Sequence, residues 1–126
     1  MPAMSPPFPT LPASDIGRAS KFYETVLDFR PVEDPPVPGG VLYDVGGGNV
    51  WVYETPNAGT AQNTAAAWFV EDIDAEVKRL QGAGVSFETF DAPDVQWDGV
   101  IASNDRLRSA WFRDTEGNIL CIDQEL

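Results

Sequence analysis

The chain has 126 residues, 43% of them hydrophobic, and carries 20 acidic against 8 basic side chains, so its formal net charge is −12. That length suits one domain, or two small halves sharing a core, and the spread of 7 Phe, 4 Trp and 3 Tyr excludes a disordered chain. Charge of this sign opposes binding to nucleic acid or to anionic lipid. The absence of histidine excludes a Ser-His-Asp triad, a Cys-His pair and every histidine-containing zinc site.

The first residues, Met1-Pro2-Ala3-Met4-Ser5-Pro6-Pro7, show neither the basic region nor the apolar stretch of a secretory leader. No apolar run approaches the roughly 20 residues of a membrane span, and a soluble cytoplasmic protein is expected. Phe8 to Ala13 reads as a short extended segment, crossed by Pro9 and Pro12 and therefore suited to a sheet edge. Asp15 caps a helix whose apolar positions, Ile16, Ala19, Phe22, Tyr23, Val26 and Leu27, recur at three and four residues. Pro31 to Pro38 is a link. Gly40 to Val45 and Asn49 to Glu54 form a hairpin across Gly46-Gly47-Gly48, a glycine run that joins two strands and is thus unsuited to holding phosphate.

After the polar link Pro56 to Gln62 the order begins again. Ala65 to Val70 is a strand, and Asp72 caps a helix with Ile73, Val77 and Leu80 on one face. Gly82 and Gly84 end that helix and Val85 to Phe90 is extended. Asp91 to Trp97 is a loop. Gly99 to Ser103, Ser109 to Arg113 and Ile119 to Asp123 are strands, the last two flanking the turn Asp114-Thr115-Glu116-Gly117-Asn118. Cys121, the sole cysteine, reads as a small core residue, because no histidine exists to activate it.

The order β-α-β-β-β thus occurs twice. Asp15-Ile16 and Lys21 match Asp72-Ile73 and Lys78 at an offset of 72 − 15 = 57, and Gly48-Asn49-Val50 matches Gly117-Asn118-Ile119 at 117 − 48 = 69. The difference, 69 − 57 = 12 residues, is an insertion in the second half, placed around Asp91 to Trp97.

Three stretches resemble the vicinal oxygen chelate superfamily of glyoxalases, bleomycin-resistance proteins, fosfomycin-resistance enzymes and extradiol dioxygenases. They are Leu11-Pro12-Ala13-Ser14-Asp15-Ile16 with Phe22-Tyr23 and Val26-Leu27-Asp28-Phe29; Val70-Glu71-Asp72-Ile73-Asp74 with Gly84-Val85; and Ala110-Trp111-Phe112-Arg113-Asp114 through Gly117-Asn118-Ile119. The resemblance implies an α+β fold in a single domain, residues 1–126, with two βαβββ modules, 8–55 and 64–124, forming a cupped mixed sheet. It also implies a homodimer. Metal-dependent members hold their metal on the first and last strands of each module. Those positions fall here at Phe8, Val52, Ala65 and Cys121, at the same offsets of 57 and 69. Only Cys121 among them can ligate, so no metal and no other cofactor is expected.

If Val52 and Cys121 point into the cup, strand alternation puts Val50, Glu54, Ile119 and Asp123 beside them, with Thr10 and Pro12 after Phe8 and Ala67 and Phe69 after Ala65. Trp51, Tyr53, Trp68, Leu120 and Ile122 then face the helices, Trp111 belongs to the core, and Arg113 and Asp114 are hairpin charges. Glu54 and Asp123 either present carboxylates to a ligand or sit solvated at strand ends; Trp97 either covers a planar ligand or fills a dimer contact. The candidate ligand-binding set is Phe8, Thr10, Val52, Glu54, Phe69, Trp97, Cys121 and Asp123, with no catalytic residue assigned. Two functions remain open, beside a plainer third, a domain retained for association with another protein. One is metal-free binding of an aromatic or cationic small molecule such as an antibiotic or natural product, with no nucleic-acid or membrane partner. The other is a metal-independent isomerase, lyase or cyclase using Glu54 or Asp123 as general base.

Overall fold

The computed structural model describes residues 4–32 and 39–126, so most of the proline-rich link lies outside the described residues. The chain forms two compact units that meet in sequence between Gly59 and Thr60.

In the first unit β1 (Thr10–Ala13) leads into α1 (Ile16–Lys21), where the Asp15 carboxylate accepts from the Arg18 amide at 3.0 Å. The helix widens into a π-turn over Phe22–Val26 and closes at Asp28, whose φ is 60°. The repeated order calls for three strands after the first helix. The one to which the sequence assigned no residues is the two-residue β2 (Arg30–Pro31), ahead of β3 (Gly40–Val45) and β4 (Gly48–Glu54). The sheet order is β1-β4-β3-β2, with β1 parallel to β4. Gly46 and Gly47, with φ of 56° and 88°, make the tight turn between β3 and β4, a geometry that requires left-handed residues.

Leu11, Val41, Tyr43 and Val52 are buried on one face of this sheet, together with Ala19, Phe22 and Tyr23 of the helical segment. The Tyr23 and Tyr43 rings lie 6.0 Å apart, and the Tyr43 hydroxyl donates to Glu24 Oε2 at 2.9 Å. The other face carries Thr10, Pro12, Leu42, Trp51 and Tyr53. Gly40 belongs to that face: a Cβ there would stand 2.5 Å from Trp51 Cη2 and 2.5 Å from the Val52 carbonyl oxygen. The indole can move but the carbonyl is fixed in the β3–β4 ladder. Gly40→Ala is therefore expected to cost roughly 1–3 kcal/mol, measured by chemical denaturation, and to change the near-ultraviolet circular dichroism of Trp51.

In the second unit the elements are β5 (Thr64–Phe69), α2 (Ile73–Gly82), β6 (Phe87–Glu88), β7 (Gln96–Asp98), β8 (Ile101–Ser103), β9 (Leu107–Arg113) and β10 (Ile119–Glu125). Their sheet runs β5-β10-β9-β8-β7, and β6 pairs with β9 beyond the end of β8. Asp72 caps α2 by accepting from the Ala75 amide at 3.1 Å, and Gly84 (φ 96°) turns the chain after it. Ile73, Val77 and Leu80 of α2 are buried, as are Ala110, Phe112, Leu120 and Ile122 of the sheet. The Phe112 ring meets Trp68 at 6.1 Å and Phe87 at 5.4 Å, both edge to face. Trp68, Leu120 and Ile122 thus share the core face as expected. The expected loop holds over residues 91–95, but Gln96–Asp98 form a short strand, β7, paired with β8, which lies within the expected strand Gly99 to Ser103; a three-residue strand is too short to show a period in sequence.

The strand registers correct one expectation. Thr10 pairs with Trp51 and Pro12 with Tyr53, whereas Ala67 pairs with Cys121 and Phe69 with Asp123. First-strand positions 57 apart therefore face last-strand positions 70 apart, one more than the 69 read from the glycine–asparagine match. The two hairpins differ in their turns, two residues between Val45 and Gly48 but five between Arg113 and Ile119. The register of β10 on β5 also slips between Ile119 and Leu120. A slip of one residue exchanges the faces of a strand. Val52, 1% exposed, accordingly belongs to the helix-side core of its unit, and Glu54 shares its parity at the exposed strand end. Trp51 and Tyr53 take the opposite face.

Candidate functional site

The face of the second sheet turned away from α2 combines β10 residues Ile119, Cys121 and Asp123 with β9 residues Arg113, Trp111 and Ser109, rung against rung. Ala67 and Phe69 extend it on β5, and Glu88 lies opposite Trp111 on β6. The expected alternation along β10 and β5 therefore holds in this unit. Trp111 is corrected from core to this face, because its neighbours Ala110 and Phe112 take the buried side. Arg113 stands at the base of the hairpin as expected, and its Nε donates to Glu88 Oε2 at 2.7 Å.

Three aromatic rings gather here. Phe90, 49% exposed, stands edge-on between two indoles: its centroid is 4.8 Å from Trp111 and 5.4 Å from Trp97, at interplanar angles of 74° and 87°. The indoles are 6.1 Å apart. Trp97 arrives on the inserted hairpin, so the insertion completes the cluster. A groove lies on either side of Phe90. One, of about 750 Å³, is lined by Thr89, Phe90, Asp91, Pro93 and Trp97 among others. The second, of about 360 Å³, is bounded by Gln62, Asn63, Glu88, Phe90, Trp111 and Arg113, with Thr64, Thr89 and Ile119 completing its lining. The unit as a whole is acidic, with 5 basic and 13 acidic residues from Thr60 onward, 5 − 13 = −8 of the total −12.

Asp123 is fixed in place. Ser109 Oγ donates to its Oδ1 in a short hydrogen bond, and Cys121 Sγ lies 3.4 Å from the same oxygen. Cys121 is 4% exposed, and burial, reinforced by the neighbouring Asp123 charge, pushes its thiol pKa up to about 12. Burial also raises the Tyr43 hydroxyl, assisted by the Glu24 carboxylate. Each group holds its proton in the folded state at pH values where the unfolded chain releases it, so stability is complete below the unfolded pKa and declines as pH rises through the interval. For Cys121 that interval runs from 9.0 to about 12. Cys121→Ala is expected to flatten the alkaline loss of stability, followed by urea denaturation from pH 8 to 11. In the wild type at pH 8, iodoacetamide is expected to alkylate this thiol at least roughly tenfold more slowly than free cysteine.

The remaining sequence-derived candidates do not all converge. Trp97, Cys121, Asp123 and Phe69 (62% exposed) belong to the second unit, and only Trp97 lines either groove. In the first unit Thr10 is exposed on the face bearing Trp51, Phe8 precedes β1 and is 43% exposed, and Val52 lies in the core. Phe90, Trp111, Glu88 and Arg113 were not anticipated as site residues.

The donor set does not suit a metal. Where the registers place equivalent positions, the pairs are Thr10 with Trp51 and Ala67 with Cys121. Among the described residues no group of three or more Cys, Asp or Glu side chains is placed to hold an ion. Nor, among these residues, is any helix long and apolar enough to cross a membrane.

Two βαβββ-type units, each with a parallel β1–β4 or β5–β10 pair and a helix across one face, define an α+β protein of the vicinal oxygen chelate class. Residues 7–122 match the model of the Glyoxalase/Bleomycin resistance protein/Dioxygenase superfamily, and the chain belongs to that family. Comparison with curated protein sequences finds no match. Among solved structures it is similar to TnmS3, an antibiotic-binding protein from Streptomyces sp. CB03234, with 23% identity over 100% of both chains and a TM-score of 0.74. It is also similar to the lactoylglutathione lyase of Agrobacterium tumefaciens, at 17% identity over 98% and 95% of the two chains and a TM-score of 0.70. The fosfomycin resistance protein FosX of Mesorhizobium loti shows 16% identity over 98% and 93%, with a TM-score of 0.67. At these identities the likeness is one of fold.

Proposed function

We propose that this protein is a metal-independent binding protein for a small planar molecule, aromatic or cationic, of the antibiotic or natural-product kind. The observation that carries this reading is the half-exposed Phe90 ring between Trp97 and Trp111 with a groove on each side. Such rings attract a flat ligand by stacking. They attract a cation over a ring face by about 0.5–2 kcal/mol per contact. The excess of carboxylates in the same unit, including Asp91 in the larger groove, raises the local concentration of cations. The similarity in fold to an antibiotic-binding protein is in keeping with it.

Titration with planar cations such as ethidium or proflavine, and with basic glycopeptide antibiotics, is expected to quench tryptophan fluorescence. Raising the salt from roughly 0.05 M to 0.5 M should weaken the response to the cations, since screening shortens the reach of the carboxylates. The absence of quenching or heat with every ligand in the series would overturn the reading. Light scattering on the same samples tests the pairing of two copies that the family resemblance leads one to expect.

A further inference from the structure

The smaller groove differs in chemistry from the larger one. Its aromatic wall, Phe90 and Trp111, ends at the Arg113–Glu88 pair, and both charged side chains remain partly open, at 37% and 44%. Arg113 spends Nε on Glu88 Oε2 (2.7 Å) and Nη1 on the Gly117 carbonyl (3.3 Å). Among the described residues, Arg113 Nη2 and Glu88 Oε1 make no hydrogen bond. The groove therefore offers one donor nitrogen beside one acceptor oxygen, on a pair whose charges sum to zero.

From this we infer that the smaller groove is a subsite for a neutral aryl carboxamide. The ring lies against Trp111 and Phe90, the amide oxygen accepts from Arg113 Nη2, and the amide N–H donates to Glu88 Oε1. The inference rests on the proposed aromatic binding site and names the group that this part of it selects. Charge excludes the obvious competitors: an arylcarboxylate meets Glu88 and an arylmethylammonium meets Arg113, each at a cost that the neutral amide avoids. Spacing agrees. Trp111 and Arg113 are two residues apart on one face of β9, roughly 7 Å along the strand, which suits a carboxamide attached directly to a ring seated on the indole.

The test compares naphthalene-2-carboxamide, 2-naphthoate and 2-naphthylmethylammonium by tryptophan quenching and by saturation-transfer NMR. The amide is expected to bind roughly tenfold more tightly than either ion. Glu88→Gln leaves Arg113 unpaired and should turn the preference to naphthoate; Arg113→Gln leaves Glu88 unpaired and should turn it to the ammonium ion. Both side chains are partly exposed, where such pairs add little to folding, so the variants retain the fold. If the three probes bind equally, or the variants leave the order unchanged, the subsite is overturned while the aromatic site stands. If none binds while ethidium or proflavine still quenches, the subsite falls and the aromatic site stands; if those cations fail as well, both fall.

Discussion

Replacing Trp111 by alanine is expected to weaken binding of planar ligands by roughly 30-fold or more, since central aromatic anchors cost about 2 kcal/mol or more on truncation. Trp111 is the residue the site can least spare. It contacts Phe90 at 4.8 Å and Trp97 at 6.1 Å and forms one wall of the smaller groove. Its loss removes the surface that holds Phe90 edge-on, so the larger groove suffers as well. The adjacent residue supplies the control. Phe112 points to the other side of β9, is 0% exposed, and packs on Trp68 and Phe87. Phe112→Ala should cost about 3–5 kcal/mol of stability by leaving a cavity, yet leave the affinity of the folded fraction within a few-fold of wild type. Isothermal titration together with denaturant melts on both variants separates the two. Equal losses of affinity from Trp111→Ala and Phe112→Ala would show that the rings act only through the fold.

The contrast between these neighbours also marks what sequence could show. The turn Asp114 to Asn118 is recognisable from its residues, and centring it on Glu116 sets Trp111 opposite Cys121, as the register confirms. Trp111 was therefore legible as a partner of Cys121; the apolar run Ala110-Trp111-Phe112 hid it by looking buried throughout. The helix caps Asp15 and Asp72 were legible because a carboxylate before an amphipathic period has few other uses. Val52 was misplaced for a physical reason. A match of glycine and asparagine carries no information on turn length, and a two-residue turn against a five-residue one shifts every later position. Glu88 and Arg113 lie 25 residues apart and meet only because β6 pairs with β9 past the end of β8. No local pattern announces such a meeting.

Asp114→Ala is expected to be the most damaging single polar substitution in the second unit, at roughly 3–5 kcal/mol, because it strands several buried donors at once. The carboxylate is 6% exposed. It accepts from the Glu116 amide at 2.8 Å, the Asn118 amide at 2.9 Å and Asn118 Nδ2 at 2.7 Å. Glu116 and Asn118 are themselves buried, so water cannot readily replace the lost acceptor. Asp114→Asn keeps one acceptor oxygen but sets an amide nitrogen against other donors, and should cost less, about 1–3 kcal/mol. Thermal melts of the three proteins test this order, with a fall in midpoint of roughly 10 °C or more for the alanine variant. Binding should follow stability for a geometric reason. The same turn fixes the register in which Trp111 opposes Cys121 and Arg113 opposes Ile119, and Arg113 Nη1 itself donates to the Gly117 carbonyl within it. Loosening the turn therefore frees Arg113 and Trp111 together. Even where Asp114→Ala remains folded, its discrimination between naphthalene-2-carboxamide and 2-naphthoate should be lost; retention of that discrimination would mean that the strands hold the register without the turn.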